Sequence, residues 1–335
     1  MQPERMVATT EQSAAVAAIG GDHATLALSD GRAGNARQAS ALARAIDPRA
    51  AVATLAPRAP WRWAAPRVLP GADAAFGADF AAALAMPPAF AIGCGRQAAL
   101  ATRLLRGRGS RAVQVLDPRL DPRHWDLLVV PEHDRVRGAN VLTLLGSLNP
   151  VDDAWLEDAR ARFAAFAALP QPRIALLLGG PSAHARIDRD LFDGLAARLE
   201  AALAHGGGSV LATASRRTPA ALRAALRVRF PASAGVLWTG DGDGVNPYAG
   251  LLAWADRIVC TADSVNMVSE ACATTAPVFV YDPAQVSGGP RRFLDALLAR
   301  GRIHAMDDRL DPFSAVPLRE TARIAAQVRA RLGTH

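Results

Sequence analysis

Residues 174–184 read Ile-Ala-Leu-Leu-Leu-Gly-Gly-Pro-Ser-Ala-His. Five apolar residues without polar alternation describe a strand covered on both faces, as in a parallel sheet between layers of helices. The two glycines and the proline end the strand. An Ala/Leu/Arg-rich segment of helical period follows near Arg189–Ala204, so the stretch opens a βα unit.

Working outward, the same alternation continues downstream. Strands are predicted near Val210–Ala214, Val236–Thr239, Arg257–Thr261 and Val278–Tyr281, and helices near Pro219–Arg229, Pro247–Trp254, Ser264–Ala273 and Arg291–Ala299. Upstream, Leu-Pro-Gln-Pro (169–172) stops a helix predicted near Asp153–Ala168 and reads as an extended linker. The pattern before it repeats, with strands near Thr25–Ser29, Ala51–Leu55, Phe90–Gly93, Ala112–Leu116, Leu127–Val130 and Val141–Leu145. Helices near Ala36–Ile46, Asp73–Ala85 and Gln97–Arg106 lie between them. The chain therefore reads as α/β with two Rossmann-like doubly wound domains. A disordered tail covers 1–23, the domains cover 24–168 and 173–312, and a terminal helix falls within 313–335.

Composition narrows the partners. The 335 residues carry 38 basic side chains, all arginine, and a formal charge of +7. Arginine keeps its charge and pairs bidentately with phosphate and carboxylate, which admits phosphate ligands and anionic lipid surfaces. Basic residues interleaved with stacking aromatics are absent, so nucleic acid is not expected. Cys94, Cys260 and Cys272 lack paired spacing, and the histidines lack metal-ligand spacing. A cytoplasmic protein without a metal or a required cofactor is the expectation, with no signal peptide or membrane span in the first twenty residues.

Ligands of open parallel sheets bind beyond the carboxyl ends of strands. Gly179, Gly180 and Ser182 follow a buried strand and suit a phosphate cradle, or a bare turn. Ser215, Arg216 and Arg217 stand at the next strand end, where Thr218 before Pro219 reads as a helix cap. Thr261, Ser264 and Glu270 form the densest group, and Glu270 either accepts hydrogen bonds from a ribose diol or is a solvated helix acid. His133 and Asp134 suit general-base work, or an ordinary surface loop. Asp30, Arg32 and Asn35 at the first strand end, with Arg96 after the third, are candidate acceptor or anion contacts; a plain turn is the other reading of 30–35. Trp61 and Trp63 either line a lipid or acceptor edge or staple a Pro-rich loop.

Taken in order, Ser29-Asp-Gly-Arg-Ala-Gly-Asn35 with Gln38, Gly93-x-Gly-Arg96, Asp117-Pro-Arg119, Pro131-Glu-His-Asp134, Gly179-Gly180, Ser215-Arg-Arg-Thr218, Asn246-Pro-Tyr248 and Thr261-x-Asp-Ser264-x-x-Met-x-Ser-Glu270 resemble the elongated-mitochondria family. That family comprises plant mitochondrial-fission factors and bacterial relatives. The resemblance implies a GT-B-like arrangement of two Rossmann lobes facing a cleft, similar to nucleotide-sugar glycosyltransferases and epimerases. It places a nucleotide on Gly179, Gly180, Ser182, Ser264 and Glu270, and an acceptor and base on Asp30, His133 and Asp134 of the first lobe. The chain lacks the second glutamate that such enzymes carry after this one. Three functions follow as expectations: metal-independent glycosyl transfer from a nucleotide sugar, its epimerisation, and a non-enzymatic adaptor that recruits a protein partner. A lipid acceptor, with peripheral placement at an inner membrane, is compatible with the first.

Overall fold

The computed structural model describes residues 24–231 and 235–333, so the tail expected over 1–23 lies outside the described residues. The chain divides into two compact units. The first comprises residues up to Val130, Val136–Thr143 and Thr321 onward; the second comprises Pro131–Arg135 and Leu144–Glu320.

The first unit runs β1 (Thr25–Ser29), α1 (Ala33–Ile46), β2 (Ala51–Thr54), α2 (Trp61–Ala64), α3 (Ala78–Ala85), β3 (Phe90–Cys94), α4 (Arg96–Arg106), β4 (Arg111–Val115), β5 (Leu127–Pro131) and β6 (Val141–Leu144). Its sheet has the order β2-β1-β3-β4-β5-β6. β1 and β3 are buried along their whole length, which is why Leu26–Leu28 and Phe90–Ile92 are apolar without alternation. Leu26 and Leu28 pack with Phe80 of α3 and with Ala98, Ala101 and Leu105 of α4, whose spacing puts one apolar face on the sheet.

The second unit runs α5 (Asp153–Arg162), β7 (Arg173–Leu178), α6 (Arg189–Gly206), β8 (Ser209–Ala214), α7 (Ala220–Arg229), β9 (Gly235–Trp238), α8 (Tyr248–Trp254), β10 (Arg257–Thr261), α9 (Val265–Cys272), β11 (Val278–Tyr281), α10 (Gly288–Ala299) and β12 (Ile303–Ala305). The sheet order is β12-β11-β10-β7-β8-β9, and the described pairings are parallel. β7 lies inside it with all six residues buried. Side chains of alternate parity feed two cores: Ala175 and Leu177 pack with Leu251, Val268 and Leu294, while Ile174, Leu176 and Leu178 pack with Phe192, Leu195 and Leu199 of α6. At the foot of the sheet Arg173 binds Asp256 through its Nε (3.0 Å), its Nη2 (3.2 Å) and its backbone N–H (2.7 Å), tying β7 to β10.

Three differences from the sequence reading have physical causes. The chain crosses between units at Leu144, ahead of α5, because Leu156 and Ala159 of α5 pack with Leu251 and Leu252 of α8. The helix predicted over 153–168 closes at Arg162. β12 is three residues long with two exposed, so it carries no hydrophobic run to read. The final helix, α11 (Glu320–Leu332), groups with the first unit from Thr321 onward, where Arg329 donates to the Ala45 carbonyl (2.6 Å) and Arg331 to Ala139 (2.8 Å).

Candidate functional site

In each sheet the strand order reverses once, between β1 and β3 and between β7 and β10. Neighbouring loops leave such a point in opposite directions, and the crevice they open is where doubly wound sheets hold ligands.

At the β7/β10 reversal the loop glycines stand hard against side chains. A Cβ on Gly179 would lie 1.9 Å from Asp263 Oδ1, and one on Gly180 2.3 Å from the Arg217 carbonyl oxygen, so neither position admits a larger residue. The Gly179 N–H donates to Thr261 Oγ1 (2.8 Å), the Gly180 N–H to Asp263 Oδ2 (3.1 Å), and the Ser182 N–H to the Ala185 carbonyl (3.0 Å). Pro181 has no N–H. The glycine pair thus serves close packing, and the main-chain amides of 179–182 already have acceptors. Asp263 also accepts from Thr261 Oγ1 (2.7 Å) and Arg217 Nη2 (2.8 Å), and its side chain is fully buried.

Thr218 does not cap α7. The helix starts at Ala220 behind Pro219, and the Thr218 hydroxyl turns back to the carbonyls of Gly179 (2.6 Å) and Leu178 (3.1 Å), beside Ser215 Oγ at 3.0 Å. Arg217 keeps 48% of its side chain exposed beyond the Asp263 contact, and Arg216 is exposed. The groups that an anion would meet at this strand end are therefore guanidiniums and hydroxyls.

α9 leaves β10 with Ser264 as its cap, the hydroxyl accepting from the Met267 N–H (3.3 Å), the usual task of a serine at a helix start. Glu270 is only 2% exposed, so it is not a solvated helix acid. The Tyr248 hydroxyl donates to its Oε2 at 2.5 Å, and Asn246 Oδ1 accepts from the Tyr248 N–H (3.0 Å). At the other end of α9 the buried Arg302 donates to the carbonyls of Cys272 (2.9 Å) and Thr274 (2.8 Å). Burial holds this guanidinium below its ordinary pKa.

The loop expected to supply a base groups with the second unit rather than the first. His133 is half-buried there against α10. A Cβ on Gly289 would lie 3.1 Å from His133 Cδ2, the Phe293 ring is 6.4 Å away, and Arg292 donates to the His133 carbonyl (3.2 Å). Burial lowers the His133 pKa from its ordinary value, the Arg292 charge adds to this, and Asp134 opposes both. On the neighbouring loop, a Cβ on Gly288 would lie 2.9 Å from His184 Nδ1, and the Ser287 N–H donates to the His184 carbonyl (3.0 Å). Two imidazoles thus flank the start of α10, where the Ser287 side chain makes no cap hydrogen bond. Sequence reasoning passed over His184, Gly288, Gly289 and Arg292, although Ser-Gly-Gly-Pro-Arg-Arg (287–292) after a strand was the available signal.

In the first unit, Asn35 Nδ2 donates to Asp30 Oδ1 (2.9 Å), as does the Arg32 N–H (3.2 Å), while Arg32 Nε lies 3.7 Å from Oδ2. Gly95, at φ +94°, brings the chain after β3 close to this group: a Cβ there would lie 2.7 Å from Asn35 Nδ2 and 3.0 Å from Asp30 Oδ2. Only glycine meets both demands, the left-handed backbone and the missing side chain. Cys94 is buried, and burial, with the Asp30 charge, pushes its thiol far above the ordinary range, so it is no nucleophile. Arg96 departs from the expected anion contact. Its guanidinium is spent on the carbonyls of Ala65 (3.0 and 2.5 Å) and Trp63 (3.3 Å). Among the described residues no group of three His, Cys, Asp or Glu side chains could hold a metal ion, and no helix is long and apolar enough to cross a membrane.

Comparison with known proteins adds the following. The family described as Mitochondrial fission ELM1 matches residues 33–332. The mitochondrial fission protein ELM1 of Arabidopsis thaliana is 30% identical over 73% of this chain and 64% of its own length, so the chain spans less than two thirds of that relative. An uncharacterised protein, RP120, of Rickettsia prowazekii is 23% identical over 74% of this chain and 80% of its own. Among solved structures, the UDP-GlcNAc 2-epimerase of Methanocaldococcus jannaschii is 13% identical and superposes with a TM-score of 0.50 over 91% of this chain and 99% of that one. The likeness confirms the GT-B-like pair of parallel sheets.

Proposed function

Because the chain belongs to the mitochondrial fission ELM1 family on a GT-B-like fold, we propose that its second unit binds a nucleoside-diphosphate sugar and that the protein is a metal-independent glycosyltransferase. One observation carries this reading: Glu270, a buried carboxylate held by Tyr248, sits on the helix leaving the β7/β10 reversal. Burying an acid is costly, and a carboxylate fixed in this way is a ready acceptor for the two hydroxyls of a ribose. The fold's likeness to an enzyme named for a UDP-sugar substrate supports the ligand class.

In this reading Arg216 and Arg217 meet the diphosphate, joined by the hydroxyls of Ser182 and Ser215, and their charge stabilises it as it departs. His133, kept neutral by burial and steadied by Asp134, takes the acceptor hydroxyl proton as the acceptor oxygen bonds to the sugar carbon and the bond to diphosphate breaks. No cofactor is required. An adaptor that recruits a protein partner is the second reading, favoured by the commitment of the 179–182 amides within the loop.

Isothermal titration with UDP and other nucleoside diphosphates tests the proposal. Saturable binding is expected, weakened about tenfold to a hundredfold in Glu270→Gln, the range of one charged hydrogen bond. Binding unchanged in a folded Glu270→Gln, or absent for every nucleotide, overturns it and leaves the adaptor. Where binding holds, donor turnover by His133→Ala and Asp134→Ala separates transfer from binding alone, and the recovered sugar reveals any epimerisation.

A further inference from the structure

We propose that the loop Ala56–Pro70 of the first unit is a docking surface for an anionic lipid bilayer. The loop carries Arg58, Trp61, Arg62, Trp63, Arg67 and Val68 and not one acidic residue. Trp63 is 67% exposed and Val68 47%, and all three arginines are exposed. Scattered exposed apolar residues are normal on a folded surface. Here they are gathered, because the Arg67 N–H donates to the Ala64 carbonyl (2.9 Å) and closes a turn flanked by Trp63 on one side and Val68 on the other, the four-residue reversal of a β-turn.

The loop is also fastened to the body of its unit. Arg96 and Arg103 of α4 reach the carbonyls of Trp63 (3.3 Å), Ala65 (3.0 Å) and Pro66 (2.6 Å). Trp61 Nε1 closes the far end on the Pro70 carbonyl (3.2 Å). Two guanidiniums of α4 are thus committed to presenting a tryptophan outward. The Arg62 guanidinium carbon lies 5.4 Å from the centre of the Trp63 ring, pairing a cation with an indole at the tip. An indole settles at the depth of lipid headgroups, and guanidiniums at the same depth bind phosphates. The uniform positive charge of the loop selects an anionic surface and repels a basic one. The proposal rests on the first unit alone and stands or falls independently of the nucleotide reading.

Sedimentation with vesicles of pure phosphatidylcholine, and of equal parts phosphatidylcholine and phosphatidylglycerol, tests it on the full chain. Partitioning onto the mixed vesicles is expected, falling as salt is raised. Each arginine near such a surface contributes about fivefold, so the double variant Arg62→Gln, Arg67→Gln loses about 25-fold. Trp63→Ala loses about tenfold. Both change exposed side chains, and unchanged thermal melts will establish that they fold. The control removes the same charge elsewhere with Arg44→Gln, Arg49→Gln. Both residues are exposed, Arg49 precedes β2, and Arg44 lies in the last turn of α1, whereas the loop follows the other end of β2. The control is expected to partition as the unaltered chain does. Quenching of tryptophan fluorescence by brominated phosphatidylglycerol is expected to diminish in Trp63→Phe. No partitioning onto the mixed vesicles, an equal loss in the control, or full partitioning by Trp63→Ala each overturns the proposal and leaves the loop to a protein partner.

Discussion

Asp30 follows β1 in one unit and Asp263 follows β10 in the other, and each stands against a glycine at the place where its sheet reverses strand order. Asp263 has no exposed side chain and accepts from a backbone amide, a threonine hydroxyl and an arginine, so its oxygens are taken up by structure. Asp30 keeps 13% of its side chain exposed and is held by one asparagine and one amide, with the exposed Arg32 guanidinium 3.7 Å away. Beside the reversal of its sheet, the same residue type is thus fully enclosed in one unit and stays partly exposed in the other. Position in the fold nominates a site, and the local hydrogen bonds decide its use.

The contrast is broken most directly by removing both acids in turn. Asp263→Ala strands the Gly180 amide, the Thr261 hydroxyl and Arg217, and is expected to cost about 3 kcal/mol, against about 1 kcal/mol or less for Asp30→Ala. Urea denaturation midpoints measure the difference, and equal losses would abolish it. A smaller effect of the same kind, about 2 kcal/mol or less, is expected of Thr218→Val on the scale of one buried hydroxyl. That hydroxyl joins the end of β8 to the carbonyls ending β7. The smallest effect concerns pH. The folded state holds His133 below its ordinary pKa of 6.5, so as pH falls the unfolded chain takes up the proton first. Stability from this group is full above about pH 6.5 and declines as pH falls from there towards the folded value. Asp243, held below 3.8 by its bond from Arg227, loses its contribution only in stronger acid. The same holds for Asp256, where burial works against ionisation and the bonds from Arg173 outweigh it. Thermal melts across mildly acidic buffers will show the His133 decline, and His133→Gln is expected to flatten it.

The parallel sheets were legible because a strand buried on both faces has to be written in apolar residues, as Ile174–Leu178 is. β12 was not, since a three-residue edge strand with His304 and Ala305 exposed needs no such run. The candidate residues were legible as positions and less so as roles. Arg96 and Arg217 both follow strands and look alike in sequence. The partners that separate them, the carbonyls of Trp63 and Ala65 for one and Asp263 for the other, come from distant parts of the chain. The burial of Glu270 was likewise unreadable, because the Tyr248 hydroxyl that accompanies it arrives from α8. Ser-Gly-Gly-Pro-Arg-Arg (287–292) opens a helix a few residues after a strand, yet the imidazoles beside it come from residues 133 and 184, which no local spacing connects to it.

Arg302 gives the site one further property. By gripping the carbonyls at the end of α9 it anchors the helix that carries Glu270, and a guanidinium so withdrawn from water does not readily let go. The segment behind Glu270 therefore surrendered its freedom during folding. A nucleotide bound as proposed would meet a stiff wall there, and its association would resemble a key meeting a lock more than a glove closing on a hand.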